Sequence, residues 1–259
     1  TKDFSKNLHF RATPAIGVDL GEFGLGQDFI VNNFFTNIEL HTELAYKPHP
    51  AFEVITGLDF IGAYWSFDFQ STFRITDLDD PLAENEGVSI TGDGWLFTPD
   101  PYLKMHIRPL NDREQWLISP GIRVNMLSVL PSGTLSDGVD QPVYTTEAFD
   151  PRLMTRLRLF DGGVIKGSTG LYHQPPRPQE ILGVGTEADF LYERSWSSSF
   201  GFEHQINGAL HWDIEGFYKQ MDQLMVFNEG WSGYGENPFI NAGQGRAYGV
   251  ELMLRHEPV

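Results

Sequence analysis

Ser195-Trp-Ser-Ser-Ser-Phe-Gly-Phe-Glu-His-Gln-Ile206, then Asn207-Gly208, then Ala209-Leu-His-Trp-Asp-Ile-Glu-Gly-Phe-Tyr-Lys-Gln-Met221: these residues decide the fold. In the first run Trp196, Phe200, Phe202 and Ile206 alternate with Ser195, Ser197, Ser199, Glu203 and Gln205. That period of two puts one set on each face of a strand. Asn-Gly suits a two-residue turn whose central residues both need positive φ. The second run sets Leu210, Trp212, Ile214, Gly216 and Tyr218 against His211, Asp213, Glu215 and Lys219. After a polar, glycine-rich segment, Tyr248, Val250, Leu252 and Leu254 alternate with Glu251 and Arg255. The hairpin has a greasy face and a charged face, and a short turn at one end is followed by a long loop at the other.

The rest of the chain repeats this pattern. Residues 8–20 alternate imperfectly, and Pro14 weakens the strand because proline lacks a ladder donor. Ile38, Leu40, Leu44 and Tyr46 oppose Asn37, Glu39, His41 and Glu43, while Phe52, Val54, Leu58, Phe60 and Tyr64 share one face of the next strand. Leu103, Met105 and Ile107 face away from Lys104, His106 and Arg108, and Phe149, Leu153 and Leu157 from Arg152, Arg156 and Arg158. The expected strands are 8–20, 34–47, 52–69, 95–108, 115–129, 148–159, 164–173, 195–206, 209–226 and 247–256. Between them the short connections Pro48–Ala51, Pro109–Glu114, Asp161–Gly163 and Asn207–Gly208 alternate with long ones at 70–93, 130–147, 174–194 and 227–246.

A Greek-key sandwich has no reason to collect every long loop at one end. An outer-membrane barrel has one: short periplasmic turns and long external loops. On that reading Leu40, Leu44, Leu58, Phe60, Ile107, Trp212, Ile214, Val250 and Leu252 point to lipid. Glu39, His41, Glu43, Lys104, Arg108, Arg156, Glu203, Asp213, Glu215 and Glu251 line a wet interior. The expected fold is all-β, an antiparallel up-and-down transmembrane barrel with sequential pairing.

Two further motif groups accompany this pattern. Asp150-Pro-Arg-Leu-Met154 precedes Lys166-Gly-Ser-Thr-Gly-Leu-Tyr172 and Gln174-Pro-Pro-Arg-Pro-Gln-Glu180, while Glu215-Gly-Phe-Tyr-Lys219 precedes Asn241-Ala-Gly-Gln-Gly-Arg-Ala-Tyr-Gly-Val-Glu251. In order and spacing they resemble the C-terminal barrel region of TonB-dependent outer-membrane receptors over roughly 115–255. The resemblance implies a plugged barrel of about 22 strands, of which about ten would lie here. It also implies residence in the outer membrane of a Gram-negative bacterium, and energised import of a scarce nutrient such as an iron chelate, cobalamin or a sugar. The expected partners are that small molecule, the outer-membrane lipid and the inner-membrane TonB complex, reached through a plug. Residues 1–259 would be part of one barrel domain lacking the plug and the final strands. Thr1-Lys-Asp-Phe-Ser-Lys-Asn shows no secretion signal, and His256-Glu-Pro-Val259 reads as a turn before a further strand.

Composition fits. There are 20 Phe, 9 Tyr and 6 Trp among 259 residues, yet mean hydropathy is only -0.27, because barrel strands alternate. No apolar run is long enough for a transmembrane helix. A net charge of -17 argues against nucleic acid as a partner, and the absence of cysteine excludes a disulfide scaffold.

No motif for a nucleophile, metal or phosphate appears, so no catalytic residue, metal site or cofactor is expected. The histidines on strand faces, His9, His41, His106 and His211, read as lumen side chains. Arg152, Arg156 and Arg158 read as balancing nearby carboxylates. The acidic run Asp77-Leu-Asp-Asp-Pro-Leu-Ala-Glu-Asn-Glu86 carries calcium-type oxygens without a calcium-loop spacing and reads as a solvated loop. Ligand recognition is expected in the long loops, on Arg177, Glu180 and Asp189, where prolines stiffen the chain, and on Trp231 and Tyr234. Two other classes compete: a free-standing barrel enzyme, and a soluble carbohydrate-binding sandwich using Trp65, Trp95 and Trp231 as stacking platforms.

Overall fold

The computed structural model describes residues 2–24, 29–71, 88–110, 115–132, 143–175, 191–206, 209–228 and 239–256. Eleven strands form one sheet in strictly sequential order. They are β1 (Lys2–Ser5), β2 (Leu8–Gly24), β3 (Phe29–His49), β4 (Phe52–Ser71), β5 (Val88–Ile107), β6 (Trp116–Pro131), β7 (Tyr144–Phe160), β8 (Gly163–Gln174), β9 (Glu193–Ile206), β10 (Leu210–Phe227) and β11 (Phe239–His256). Every neighbouring pair is antiparallel. This is the up-and-down order that the turn spacing predicts.

Three features differ from the sequence-based expectation. The ten expected strands become eleven, because Lys2–Ser5 folds back on Leu8–Phe10. Most strands run past the expected ends, so β11 starts at Phe239 and Asn241–Arg246 lies within a strand rather than a loop. Pro14 sits in the ladder opposite Leu40. Beyond Phe10, β2 has only β3 as a described partner, and an edge strand tolerates a missing donor.

Apart from β1, strands run from 12 residues in β8 to 21 in β3. About 9–11 tilted residues cross a bilayer, so these strands project beyond it. The short connections cluster at one end. There Lys47 N–H donates to Asn7 O, Arg108 N–H to Ala51 O and Gln205 N–H to Gly162 O, each at 2.8 Å. The Asp161-Gly162 turn needs a left-handed residue, and Gly162 supplies φ +79°. At the opposite end the connections 72–87, 132–143, 175–192 and 228–238 are longer, although β2 and β3 are joined there by 25–28 alone.

Cross-strand register divides the sheet into two faces. Leu40 pairs with Phe60, Thr42 with Leu58, and Leu44 with Thr56. Trp212 pairs with Leu254, Ile214 with Leu252, and Gly216 with Val250. Phe200, on an interior strand of this greasy face, is 64% exposed, as a lipid-facing side chain should be. Aromatic clusters mark both ends of this face: Tyr64, Trp95 and Phe97 toward the long loops, and Phe160, Phe202 and Trp212 near the tight turns. Such girdles sit at the two bilayer interfaces. The other face carries Glu39, His41, Glu43, Asp59, Asp100, Lys104, Arg156, Asp213, Glu215 and Glu251, as the alternation predicts.

Candidate functional site

In a transmembrane barrel the polar face is the lumen wall, and its charged groups are assembled across strands. Arg123 on β6 is the hub. Its Nη1 donates to Asp59 of β4 at 2.6 Å, its Nη2 to Asp100 of β5 at 2.8 Å, and its Nε to Asn125 at 3.1 Å. Asp100 owes its place to the prolines around it. Between β5 and β6 regular pairing stops at Phe97–Ser128 and resumes at Tyr102–Arg123, because Pro99 and Pro101 cannot donate. In the gap the Asp100 carboxylate accepts the Met126 N–H at 2.8 Å.

A second group surrounds Asp150 of β7, which is 1% exposed. It accepts from Arg152 at 2.9 Å and pairs with His173 Nδ1 at 2.7 Å. The Arg152 guanidinium stacks on Tyr172 at 4.5 Å. Farther along, Lys166 on β8 pairs with Asp213 at 2.5 Å and Glu215 at 2.8 Å on β10, and Arg156 pairs with Glu203. A buried charge is tolerated only when paired, and Asp150, the most buried of these charges, is paired twice. The basic stripe balances nearby carboxylates as expected: Asp150 for Arg152 and Glu203 for Arg156.

Three of the four strand-face histidines, His9, His41 and His106, are engaged rather than simply solvated. His41 pairs with Asp59 and stacks on Tyr102; His106 pairs with Glu53 at 3.1 Å, and His9 with Asp3 at 2.6 Å. Among the described residues no group of three or more His, Asp or Glu could hold a metal ion.

Toward the long loops the lumen face turns apolar, which the alternation did not predict. Leu127, Val129 and Ala148 form a buried cluster with Tyr192, flanked by Leu96 and Tyr144. Burial pushes the Tyr192 phenol above the usual tyrosine range. Tyr192 also packs edge-on against His173, so this apolar patch touches the Asp150 group.

A polar latch lies across β9–β11. Gln223 adopts φ 56° in a bulge of β10. Asn241 Nδ2 donates to Gln223 O at 2.9 Å and to Leu191 O at 3.2 Å, while its Oδ1 accepts the Leu191 N–H at 3.0 Å. Glu193 accepts the Met225 N–H at 2.9 Å.

The expected recognition residues Arg177, Glu180, Asp189, Trp231 and Tyr234, and the acidic run 77–86, lie outside the described residues. Of the proposed stacking platform, Trp231 does too. Trp65 is 5% exposed on the lumen face, whereas Trp95 is 48% exposed on the lipid face. The two do not form one platform. Sequence reading passed over Asp59, Asp100, Arg123, His173 and Tyr192. Pro99-Asp100-Pro101 was a usable signal, since an acid between two prolines inside a strand marks an interrupted ladder.

Comparison with known proteins agrees with this geometry. Residues 3–257 match the family model described as TonB dependent receptor-like, beta-barrel. No curated protein sequence matches. Among solved structures, the ferric yersiniabactin uptake receptor FyuA from Yersinia pestis superposes with TM-score 0.69 at 15% identity, over 96% of this chain and 37% of that one. The copper transporter OprC gives TM-score 0.69 at 11% identity, covering 99% and 42%. The ferric citrate transporter FecA gives 0.66 at 15% identity, covering 98% and 37%. The chain therefore spans less than half the length of these structures, and at such identities the likeness shows the fold. The sequential sheet, its two opposed faces and the family match over 3–257 together establish that this chain belongs to the TonB-dependent receptor β-barrel family.

Proposed function

We propose that this chain is part of the barrel of an outer-membrane receptor that imports a scarce nutrient, with an iron chelate as the first candidate and cobalamin or a sugar as the others. The observation that carries this reading is the two-faced sheet: a lipid-compatible apolar face backs a lumen wall whose charges are paired across strands. Transporters of iron chelates and copper among the structural neighbours support the nutrient class. The remaining strands, a plug and the contact with the inner-membrane TonB complex would be supplied outside residues 1–259, in keeping with the 37–42% coverage of those structures. Recognition is assigned to the long connections, with Arg177, Glu180 and Asp189 in one and Trp231 and Tyr234 in another, because rigid scaffolds carry specificity in their loops. The reading assigns the chain no catalysis and no cofactor.

The test is uptake. A strain lacking the receptor should lose growth on one iron chelate under iron limitation and regain it with the wild-type gene, and collapse of the proton gradient should abolish uptake. Shortening 174–194 or 227–246 should stop uptake while the barrel stays inserted. Uptake that survives loss of both loops would place recognition elsewhere, and unchanged growth on every iron chelate, cobalamin and sugar tried would overturn the transport reading.

A further inference from the structure

One row of the lumen wall carries an imbalance. Lys104, Gly121 and Arg152 stand side by side across β5, β6 and β7, so two cations flank a residue with no side chain. Arg123, two residues along β6, is a third. Lys104 and Arg152 are two strand spacings apart, about 10 Å, within reach of each other's long side chains over Gly121. Like charges brought together this way repel unless an anion lies between them. Of the carboxylates nearby, Asp59 and Asp100 take Arg123 and Asp150 takes one edge of Arg152, while, among the described residues, Glu43, on the β3 side of the same concavity, makes no ion pair with Lys104 or Arg152. Arg152 keeps further donors. Lys104 has no ion pair or hydrogen bond among the described residues.

The space over Gly121 belongs to a concave region of about 560 Å³ that Tyr102, Ser119 and Tyr172 also line. Ser119 is 6% exposed, and its Oγ is buried with no hydrogen-bond partner. A buried unpaired hydroxyl costs about 1–3 kcal/mol, and native structures rarely leave one without a reason.

We propose that this groove binds an oxyanion, a carboxylate or a phosphate, between the Lys104 ammonium and the donors of Arg152 that Asp150 leaves over, with the Ser119 hydroxyl as a further donor in its floor. Gly121 is the vacancy that admits it. The oxyanion comes either from a molecule in the lumen or from a carboxylate of the receptor's own polypeptide beyond this segment. The site rests on the lumen assignment of this face and not on which nutrient is imported.

The chain contains no cysteine, so a single introduced thiol reports on the groove. In the full-length receptor, with any other cysteines replaced, Gly121→Cys places a thiol between the two cations. A Cβ there meets nothing closer than Leu103 O at 3.3 Å and Lys104 Cβ at 3.7 Å, so the variant should fold. Its modification rates with negatively and positively charged methanethiosulfonates of similar size are compared. The anionic reagent should react faster by at least about tenfold, and Lys104→Met should bring the ratio toward one. Millimolar inorganic phosphate or citrate should slow modification at Gly121→Cys but not at Ser199→Cys on the same face. If both reagents are excluded and Lys104→Met admits them, the oxyanion is a carboxylate of the protein itself. A rate ratio at or below one, a ratio unmoved by Lys104→Met, or an exclusion that Lys104→Met does not relieve would overturn the proposal.

Discussion

Arg123→Met tests whether the lumen wall is held by its paired charges. The substitution keeps a flexible stem but removes the guanidinium that joins Asp59, Asp100 and Asn125 at 2.6, 2.8 and 3.1 Å. Asp59 and Asp100 are direct partners in the β4–β5 ladder, so the variant leaves two carboxylates opposed with their common cation gone. Breaking a fully buried pair costs about 3–5 kcal/mol. Here the side chains keep 29% exposure at Arg123, 27% at Asp59 and 13% at Asp100, and water reaches them. The expected loss is therefore about 2–3 kcal/mol, below the fully buried range. Unfolding of the full-length receptor in detergent micelles by guanidinium measures it, provided the transition is reversible and the denaturant slope is unchanged. The companion variant Asp59→Asn with Asp100→Asn and Arg123→Met removes the orphaned charges and should recover at least about 1 kcal/mol. A loss below about 0.5 kcal/mol, typical of an exposed pair, or a triple variant no more stable than Arg123→Met, would refute the assignment of this cluster as a structural hub.

The other predictions follow the same geometry. Leu252→Arg on the lipid face should cost about 2–4 kcal/mol if it lies at mid-bilayer, measured by unfolding in lipid vesicles, whereas Glu251→Gln on the lumen face should cost under about 1 kcal/mol; equal costs would contradict the orientation. Gly162→Ala should destabilise by about 1 kcal/mol or more, because φ +79° disfavours a side chain, and the loss should show as slower assembly of the folded band on a gel. Asn241→Ala removes three hydrogen bonds and should cost about 2–3 kcal/mol. It should also speed proteolysis near Leu191, and unchanged cleavage there would count against the latch.

Strand order and face assignment were legible in the sequence because both depend on local rules. Alternation of period two fixes which residues share a face, and turn chemistry at Asp161-Gly162 fixes where the chain reverses. Strand ends were less legible: Gly92–Gly94 and Phe239–Arg246 mix polar residues with glycine, and cross-strand pairing rather than propensity holds them in the sheet. The lumen clusters were hidden for another reason. Arg123 and Asp59 are far apart in sequence and lie on strands that are not neighbours, so their meeting depends on register, which emerges only when the whole sheet is assembled. Tyr192 looked like an ordinary loop aromatic, since nothing local marks a side chain that folds over a wall built from β6 and β7.

That placement of Tyr192, together with its neighbour Leu191, bears on how the long-loop end is built. Tyr192 reaches the cluster of Leu127, Val129 and Ala148 on β6 and β7, while the main chain of Leu191 is gripped by Asn241 on β11. Two consecutive residues at the foot of β9 thus touch strands on both sides of it, from β6 to β11. The grip is specific: Asn241 offers Leu191 one donor and one acceptor, as a neighbouring strand would, and its second donor holds Gln223 in a backbone conformation that costs a non-glycine residue about 1–3 kcal/mol. Such strain persists only where the surroundings over-determine it, and Glu193, which takes the Met225 N–H across the same bulge, completes that surrounding. The root of the connection that carries Arg177, Glu180 and Asp189 is therefore fixed to the barrel wall on two sides, and through His173 it adjoins the buried Asp150 group. A change at the Asp150–Arg152 pair is thereby placed, through His173 and Tyr192, within side-chain contact of the foot of that connection.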